Sequence, residues 1–268
     1  MNEELSALLE IAKRAVRAAA VVHRTAIEAG HFHIHTKASS SDLVTEVDRE
    51  AEHKLVEMIR AARPHDGIVG EEGTNVVSES GVNWILDPLD GTTNFVHRYP
   101  AHAVAVGIEI NDCRMIGVVH DTFNNRVYAG IVGETATCDD RAVAVRSESS
   151  LQNALVGTGF LPNSEVRRRQ ADLLRHILPR VRDIRRSGCP SLDICQVASG
   201  VLDAFYECGL GPWDIAGASA IAEAAGARVL LLHSEVLPDP FLIVANPQLA
   251  TLLVDAFTEI GIIEPIST

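Results

Sequence analysis

The sequence lacks the long apolar run that a membrane-spanning helix needs, since no stretch approaches about 18 consecutive apolar residues. It also lacks a lysine- or arginine-rich segment, and its formal net charge is −13 over 268 residues. A protein that binds nucleic acid needs a basic face to meet the phosphate backbone, so this charge argues against nucleic acid as a partner. A small phosphorylated ligand is still compatible with it, because bound metal ions can invert the local sign of charge.

Cysteine pairs at the spacing of a metal site are also missing. The five cysteines are odd in number and contain no CxxC pair, which argues against a disulfide framework or a zinc site and fits a reducing compartment. Glu3 and Glu4 precede any apolar run, unlike the start of a secretory signal, so we expect a cytoplasmic protein. The usual markers of nucleotide-loop and serine-hydrolase chemistry, Walker A, GxGxxG and GxSxG, are absent as well.

The pattern of elements predicts layers of helix and mixed sheet. Apolar residues at threes and fours predict a first helix over residues 3–29 and a second that opens within 42–48. Three strands from 103 to 131, separated by turn residues, predict an antiparallel meander, whereas the later part alternates between helix and strand. This mixture favours an α+β fold over a purely parallel sheet. Residues 74–83 are rich in polar residues and glycine and predict a mobile loop.

The stretch from Trp84 to Tyr99 contains the most informative chemistry. Its apolar start predicts the end of a buried strand, and Asp87 and Asp90 follow at once with Pro88 between them. Pro88 stiffens the bend, and Gly91 permits a tight turn and a close backbone approach. Residues 92–94 are typical of a helix start, where free amides can face an anion. Two carboxylates beside such amides suit hard cations and a phosphate, although an Asx-turn without a ligand would use the same residues.

Three further acids lie at the ends of predicted elements: Asp48, Glu71 and Asp214. Two of them also have a purely structural interpretation. Asp48 stands three residues after Thr45, as in a capping box, and Asp214 near a helix start can stabilise the helix dipole. A set of carboxylates without histidine or cysteine favours Mg²⁺ over zinc, and cations would offset the cost of bringing the acids together.

Two other features have competing interpretations. Glu207 ends an apolar strand ahead of a glycine-rich loop, where it is either a surface acid or a group that faces a substrate. Arg167, Arg168 and Arg169 lie within a predicted helix at residues 165–178, and we interpret them as a solvated face rather than a binding patch.

Four motifs together resemble the inositol monophosphatases, within the lithium-sensitive, Mg²⁺-dependent phosphatase superfamily. The resemblance covers nearly the whole chain. It implies a single domain over residues 1–268 with the layered αβαβα sandwich of this family. Residues 1–145 would contain the main metal motifs and the meander, and 146–268 the Trp-Asp motif and the substrate side. The motifs are Asp-Leu-Val-Thr-Glu-Val-Asp at 42–48, Gly-Glu-Glu at 70–72, Asp-Pro-Leu-Asp-Gly-Thr-Thr-Asn-Phe at 87–95 and Trp-Asp-Ile-Ala-Gly at 213–217.

The resemblance implies two or three Mg²⁺ ions in each subunit. Glu71, Asp87 and the backbone carbonyl of Leu89 would hold the first ion. Asp87, Asp90 and Asp214 would hold the second, with Asp87 bridging the two. A third, weaker ion would lie near Glu71.

It also implies how the remaining site residues act. Asp48 and Thr92 would orient the attacking water and help to deprotonate it. The amides of Gly91 and Thr92 would hold the phosphate, and Glu207 would contact substrate hydroxyls. Asp90 and Asp214 would lie against the substrate as well as the metal. The implied assembly is a homodimer, and the implied partner is a small phosphorylated polyol.

The implied reaction is hydrolysis of inositol-1-phosphate by metal-activated water. The same chemistry on histidinol phosphate, fructose bisphosphate or phosphoadenosine phosphate stays open, because the metal motifs do not separate these substrates. A regulatory, protein-binding relative with little catalysis is a further alternative. The chain departs from the family pattern at residues 187–193, in the turn near 233–240 and after Gly226. These departures put the choice of substrate in doubt rather than the choice of reaction.

Overall fold

The computed structural model describes residues 2–30, 34–36 and 43–264. Most of a histidine-containing segment at 31–35, which we interpret as the polar face of a short strand rather than a metal site, lies outside these residues. Asp42, the first residue of the 42–48 motif, lies outside them too. Within the described part no helix is both long and apolar enough to cross a membrane.

The described residues form seven α-helices and fifteen strands, together with two single turns of 3₁₀-helix at Leu151–Asn153 and Leu178–Arg180. The helices are α1 (Asn2–Ala29), α2 (Glu46–Ala62), α3 (Thr92–Val96), α4 (Ser164–Ile177), α5 (Pro190–Ala198), α6 (Pro212–Ala224) and α7 (Pro247–Glu259). The strands are β1 (Ile34–Thr36), β2 (Leu43–Thr45), β3 (Gly67–Gly70), β4 (Asn75–Val76), β5 (Val82–Asp90), β6 (Ala103–Ile110), β7 (Cys113–Asp121), β8 (Arg126–Ile131), β9 (Thr137–Cys138), β10 (Arg141–Ala142), β11 (Leu155–Thr158), β12 (Asp183–Arg185), β13 (Ala204–Cys208), β14 (Arg228–Leu232) and β15 (Phe241–Ala245).

The strands form two large sheets and one small pair. The first sheet has eight strands in the order β10-β9-β8-β7-β6-β5-β3-β4, and β3 and β5 are its parallel pair. The predicted antiparallel meander is confirmed as β6, β7 and β8. The second sheet has the order β12-β11-β13-β15-β14, with β11 parallel to both of its neighbours. Strands β1 and β2 form a separate antiparallel pair.

Helices cover both faces of each large sheet, which confirms the layered αβαβα sandwich. Helices α1 and α2 pack apolar residues such as Leu8 and Leu55 against Trp84 of the first sheet. Helices α5 and α6 lie between the two sheets, where Ile194 and Ile221 share a core with Phe205. Helices α4 and α7 close the outer face of the second sheet.

Close backbone contact holds α6 against the first sheet. A Cβ atom at Gly117 of β7 would lie 1.8 Å from the carbonyl oxygen of Gly217 in α6, so only glycine fits there. At Gly107 of β6 a Cβ atom would lie 2.6 Å from the Cβ of Ala216. This contact matters for the site because Asp214 lies in the first turn of the same helix.

Three sequence predictions need correction. Strand β5 does not end at Leu86 but continues to Asp90, with a register shift against β6 between Asp87 and Asp90. The second helix begins at Glu46, after strand β2. The loop predicted over 74–83 is shorter than expected, because β4 lies within it and β5 begins at Val82. Ser78 and Ser80 attach the intervening residues by hydrogen bonds to Val82 and Asp66.

Candidate metal centre and cleft

The irregular end of β5 places two buried carboxylates on one bend. The register shift leaves Pro88 and Leu89 without ladder partners on β6, and the Leu89 amide donates instead to Asp87 Oδ1 at 3.1 Å. Gly91 then turns the chain with a φ of 85° and serves as the N-cap of α3. A Cβ atom at Gly91 would lie 2.8 Å from the Ala101 carbonyl oxygen, so the predicted close backbone approach is present.

Asp90 is held by residues that are about a hundred positions away in the chain. The Ser191 amide donates to Asp90 Oδ2 at 2.7 Å, the Cys189 thiol donates to the same oxygen at 3.0 Å, and the Ser191 hydroxyl adds a short third bond. These donors favour the carboxylate, but burial dominates and raises the pKa of Asp90. All three bonds end on Oδ2, and they fix the carboxylate where it lines the cleft.

Asp214 joins this pair from the start of α6. The Gly211 amide donates to Asp214 Oδ2 at 2.6 Å, which closes a capping box and explains the helix-start position. One oxygen from each of Asp87, Asp90 and Asp214 lies within 4.8 Å of the others. Three carboxylates that lie at the ends of different elements therefore come close together in space.

Glu71 lies directly after β3 and lines the same cleft. Its backbone amide donates to the Leu86 carbonyl at 3.2 Å, which continues the parallel pairing with β5 for one more residue. Glu52 of α2, which sequence analysis missed, shapes the loop beyond it. The Glu52 carboxylate accepts bonds from the amides of Glu72 and Thr74. This bonding orients the loop so that Glu71 lines the cleft, as expected for one of two adjacent acids.

The donor set fits a divalent cation. Asp87 Oδ2 is buried and has no hydrogen-bond partner among the described atoms. Burial raises the pKa of Asp87 well above its ordinary value, and repulsion from Glu71, Asp90 and Asp214 raises it further. A cation among these oxygens would supply the missing partner and cancel the repulsion. An all-oxygen donor set is the kind that Mg²⁺ binds in proteins.

Asp48 and Thr92 form a hydrogen-bonded pair beside the acids. Thr45 donates to Asp48 Oδ2 through its amide at 2.8 Å and its hydroxyl at 2.6 Å, which completes the predicted capping box. The Thr92 hydroxyl lies 3.1 Å from Asp48 Oδ1 and 3.1 Å from the Leu89 carbonyl oxygen. Since Gly91 is the N-cap of α3, the Thr92 side chain is not a cap. Burial raises the pKa of Asp48 against these hydrogen bonds.

The acids line a cleft of about 220 Å³ that is also lined by two arginines, which sequence analysis did not single out for binding. Arg167 lies in α4, where it is exposed as predicted. It also lines the cleft, and its Nε donates to the Leu161 carbonyl. Arg168 and Arg169 point elsewhere, to Glu165 and the Val236 carbonyl. The cleft is lined by Glu71, Asp87, Leu89, Asp90, Gly91, Thr92, Thr93, Phe160, Pro162, Arg167, Arg186, Gly188 and Asp214.

Arg186 lies directly after β12 and directly before residues 187–193, where the chain departs from the family pattern. That departure was the signal in the sequence that could have identified site residues here, because the same stretch contains Cys189 and Ser191, which hold Asp90. These two residues were not predicted site residues. Their role comes from the approach of α5 to the end of β5.

Glu207 lies near the cleft but not on its surface. It is 7% exposed at the end of β13 and lines a small neighbouring cavity with Gly159 and Phe160. Phe160 lines both this cavity and the cleft. Burial raises the pKa of Glu207 well above its ordinary value, and the charge of Asp214 adds to the shift. The surface-acid interpretation is therefore wrong, and its contact with substrate stays a prediction.

Comparisons with known proteins give consistent matches over most of the chain. A sequence profile described as "Inositol monophosphatase family" matches residues 4–261. The "Inositol-1-monophosphatase SuhB" of Mycobacterium tuberculosis is 39% identical over 243 residues, which cover 87% of this chain and 84% of the relative. The "Nus factor SuhB" of Pasteurella multocida is 33% identical, with coverage of 84% and 85%. The crystal structure of extragenic suppressor protein suhB from Bartonella henselae matches with a TM-score of 0.87 at 28% identity, over 94% of this chain and 99% of that one.

Proposed function

Because the chain belongs to the inositol monophosphatase family, we propose that it is a Mg²⁺-dependent phosphomonoester hydrolase whose substrate is inositol-1-phosphate. The observation that carries the proposal is the partnerless Asp87 Oδ2, buried among Asp90, Asp214 and Glu71. Most buried polar atoms have a hydrogen-bond partner, and this unpartnered oxygen lies among three other acids.

Two sets of ligands would hold the ions. Glu71, Asp87 and the Leu89 carbonyl would bind one, and Asp87, Asp90 and Asp214 the other. A third, weaker ion would bind near Glu71. Two divalent ions held here would supply charge neutralisation for an in-line displacement at phosphorus. The Ser191 amide bonds Asp90 and the Gly211 amide bonds Asp214, each through Oδ2, and these bonds fix both carboxylates at the cleft.

Water activation falls to Thr92 and Asp48. Both bonds from Thr45 end on Asp48 Oδ2, so Asp48 Oδ1 is the oxygen that receives the Thr92 proton. With its proton directed to Asp48, the Thr92 hydroxyl presents a lone pair that can accept a bond from water. As water attacks, its proton passes to Thr92 Oγ1 while the original Thr92 proton passes to Asp48.

The phosphoryl group would lie against the backbone amides of Gly91 and Thr92. Arg186 and Arg167, which line the same cleft as the acids, would add positive charge for an anionic substrate. Glu207 would accept hydrogen bonds from the hydroxyls of a polyol. Such a contact separates substrates that differ in hydroxyl placement, which is why we place inositol-1-phosphate ahead of the other phosphate esters.

The experiment is a measurement of phosphate release from inositol-1-phosphate, histidinol phosphate, fructose bisphosphate and phosphoadenosine phosphate, each with Mg²⁺ and with EDTA. We expect the highest kcat/KM with inositol-1-phosphate, loss of turnover in EDTA, and inhibition by lithium. A higher kcat/KM with another ester would change the substrate and keep the reaction. Equal turnover in EDTA would overturn the reaction itself.

We further propose a cytoplasmic homodimer, on the resemblance to the family and on the five free cysteines. Light scattering on the purified protein tests the dimer. A second candidate function, protein binding with a regulatory role, is suggested by the name of the Pasteurella multocida relative. Absence of Mg²⁺-dependent turnover on every ester in the panel would favour this second function.

A further inference from the structure

A pair of buried histidines lies behind the metal-bearing bend, where the proposed reaction makes no use of them. His23 of α1 is fully buried, and His102, just before β6, is 2% exposed. Both rings pack around Phe95 of α3, with centroid distances of 5.5 Å and 5.3 Å. Two imidazoles in an apolar setting need hydrogen-bond partners, so their partners are informative.

His23 bonds the backbone of β5 where its pairing with β6 is irregular. Asp87 pairs with Ala105 and Asp90 with Ala103, so two residues of β5 lie opposite a single residue of β6. Pro88 and Leu89 have no register partner on β6. Instead, His23 Nε2 lies 3.0 Å from the Pro88 carbonyl oxygen. A side chain of α1 therefore holds the peptide that joins two of the proposed metal ligands, Asp87 and Leu89.

The Pro88 carbonyl determines the direction of the hydrogen bonds that join His23, Thr122 and His102. A carbonyl oxygen only accepts, so His23 Nε2 must carry the proton, and in a neutral ring Nδ1 is then an acceptor. The Thr122 hydroxyl lies 3.3 Å from His23 Nδ1 and is the donor to it. With its only proton so directed, Thr122 Oγ1 accepts the short bond from His102 Nδ1. The result is one directed chain from His102 through Thr122 and His23 to Pro88.

Both rings are neutral, as this chain requires. Burial lowers the pKa of His23 to about 3 and that of His102 to about 4. The Thr122 hydroxyl has two competing acceptors, the backbone carbonyl of His102 at 3.1 Å and, in the other tautomer of that ring, His102 Nδ1. Only donation to His23 satisfies Nδ1 of the His23 ring.

We propose that His23 is a positioning residue for the metal centre, and that Thr122 and His102 fix it in the tautomer that holds the Pro88 peptide. The inference rests on the proposed metal-dependent function. By holding Pro88, this chain of hydrogen bonds sets the distance between Asp87 and the Leu89 carbonyl. An ion bound to both groups would depend on that distance. Supporting contacts of this kind commonly change metal affinity by about 10- to 100-fold when removed.

The test combines the imidazole tautomers with Mg²⁺ binding in the absence of substrate. Long-range ¹H–¹⁵N NMR on the metal-free protein should show Nε2–H for His23 and Nδ1–H for His102. Calorimetric titration with Mg²⁺ should give affinities weakened by about 10-fold in Thr122→Val and in His23→Phe. Thr122→Ser keeps the hydroxyl and should bind Mg²⁺ as the wild type does. Circular dichroism and thermal melting identify any variant that has lost the fold, in which case the Val and Ser pair at Thr122 decides.

Two results would overturn the inference. One is an Nδ1–H tautomer for His23. The other is wild-type Mg²⁺ affinity in a folded Thr122→Val variant. If the wild type bound Mg²⁺ with the expected dependence on Thr122 yet hydrolysed no ester, the proposed function would fail while this inference held. If the folded wild type bound no Mg²⁺, both would fail.

Discussion

The parts of the chain that form the two sheets bring side chains of opposite charge to one cleft. The eight-stranded sheet supplies Asp87, Asp90 and Glu71, of which the two aspartates are buried. The part of the chain that forms the five-stranded sheet supplies Arg186 and Arg167, which are exposed. Buried acids repel one another in a medium of low dielectric and need a cation, whereas exposed arginines are screened by solvent. Substitution of the acids should therefore have the larger effect on activity.

One residue links these two parts of the chain. Asp90 belongs to the eight-stranded sheet, but its carboxylate is held by Ser191 and Cys189 of the helical layer between the sheets. The acidic side of the cleft is complete only when both parts of the chain are folded together.

The largest effect is expected for Asp90→Asn. An amide would replace a carboxylate that is held by three donors and faces the other acids, and metal-assisted charge stabilisation is worth several kcal/mol, so kcat/KM should fall by about 10³-fold or more. Phosphate release at saturating Mg²⁺ measures this, with circular dichroism as the check on folding. Asp172→Asn is the matched control, since Asp172 is an exposed acid of α4 paired with Arg175. Turnover of Asp90→Asn at the rate of that control would show that the acids do not hold a required metal.

Thr92→Ala should have the next largest effect. The hydroxyl is the proposed path of the proton from water to Asp48, and loss of such a group typically costs about 10²-fold in kcat. Thr92→Ser retains the hydroxyl and should recover most of the rate. Steady-state kinetics of the three proteins at one pH decides the point. A similar kcat for Ala and Ser would leave Thr92 with a structural role only.

Glu207→Gln tests the substrate side and should have a smaller, selective effect. Loss of the carboxylate should lower kcat/KM for inositol-1-phosphate about 10-fold more than for glycerol-2-phosphate, which offers fewer hydroxyls. The Mg²⁺ concentration for half-maximal rate should not change, because Glu207 is not a proposed ligand. Kinetics on both substrates across a Mg²⁺ titration measures both quantities. An equal loss on the two substrates, or a higher Mg²⁺ requirement, would place Glu207 among the metal-binding groups instead.

The smallest effect concerns Asp193 of α5, a buried acid outside the cleft. Burial raises the pKa of Asp193 to about 7, and Asp193 Oδ1 has no hydrogen-bond partner among the described atoms. The folded state therefore holds a proton that the unfolded state releases, and this contribution to stability falls as pH rises from about 4 to about 7. Asp193→Asn removes the fall, so its stability relative to wild type should increase by about 1 kcal/mol between pH 6 and pH 8.

Urea unfolding in EDTA at the two pH values measures the difference. The exposed Asp172→Asn again serves as control and should show no such trend. Parallel pH dependence of wild type and Asp193→Asn would mean that Asp193 titrates normally in the folded protein.

Local structure could be predicted from the sequence wherever it depends on residues that are close together in the chain. The capping box of Thr45 and Asp48, the turn at Gly91 and the meander of β6 to β8 all arise within a few residues. For this reason the elements and the family were predictable. The register shift in β5 was not, because apolar patterning shows where a strand is buried and not where its pairing slips.

The sequence by itself determined which acids and turns occur at the ends of elements, since capping and periodicity act over three or four residues. Only the tertiary structure decided which distant residues support them. Ser191 reaches Asp90 across 101 positions, and His23 reaches Pro88 across 65. No local pattern specifies such contacts, because they depend on how α1 and α5 pack against the end of β5. That packing follows from the burial of whole helix faces against the sheets.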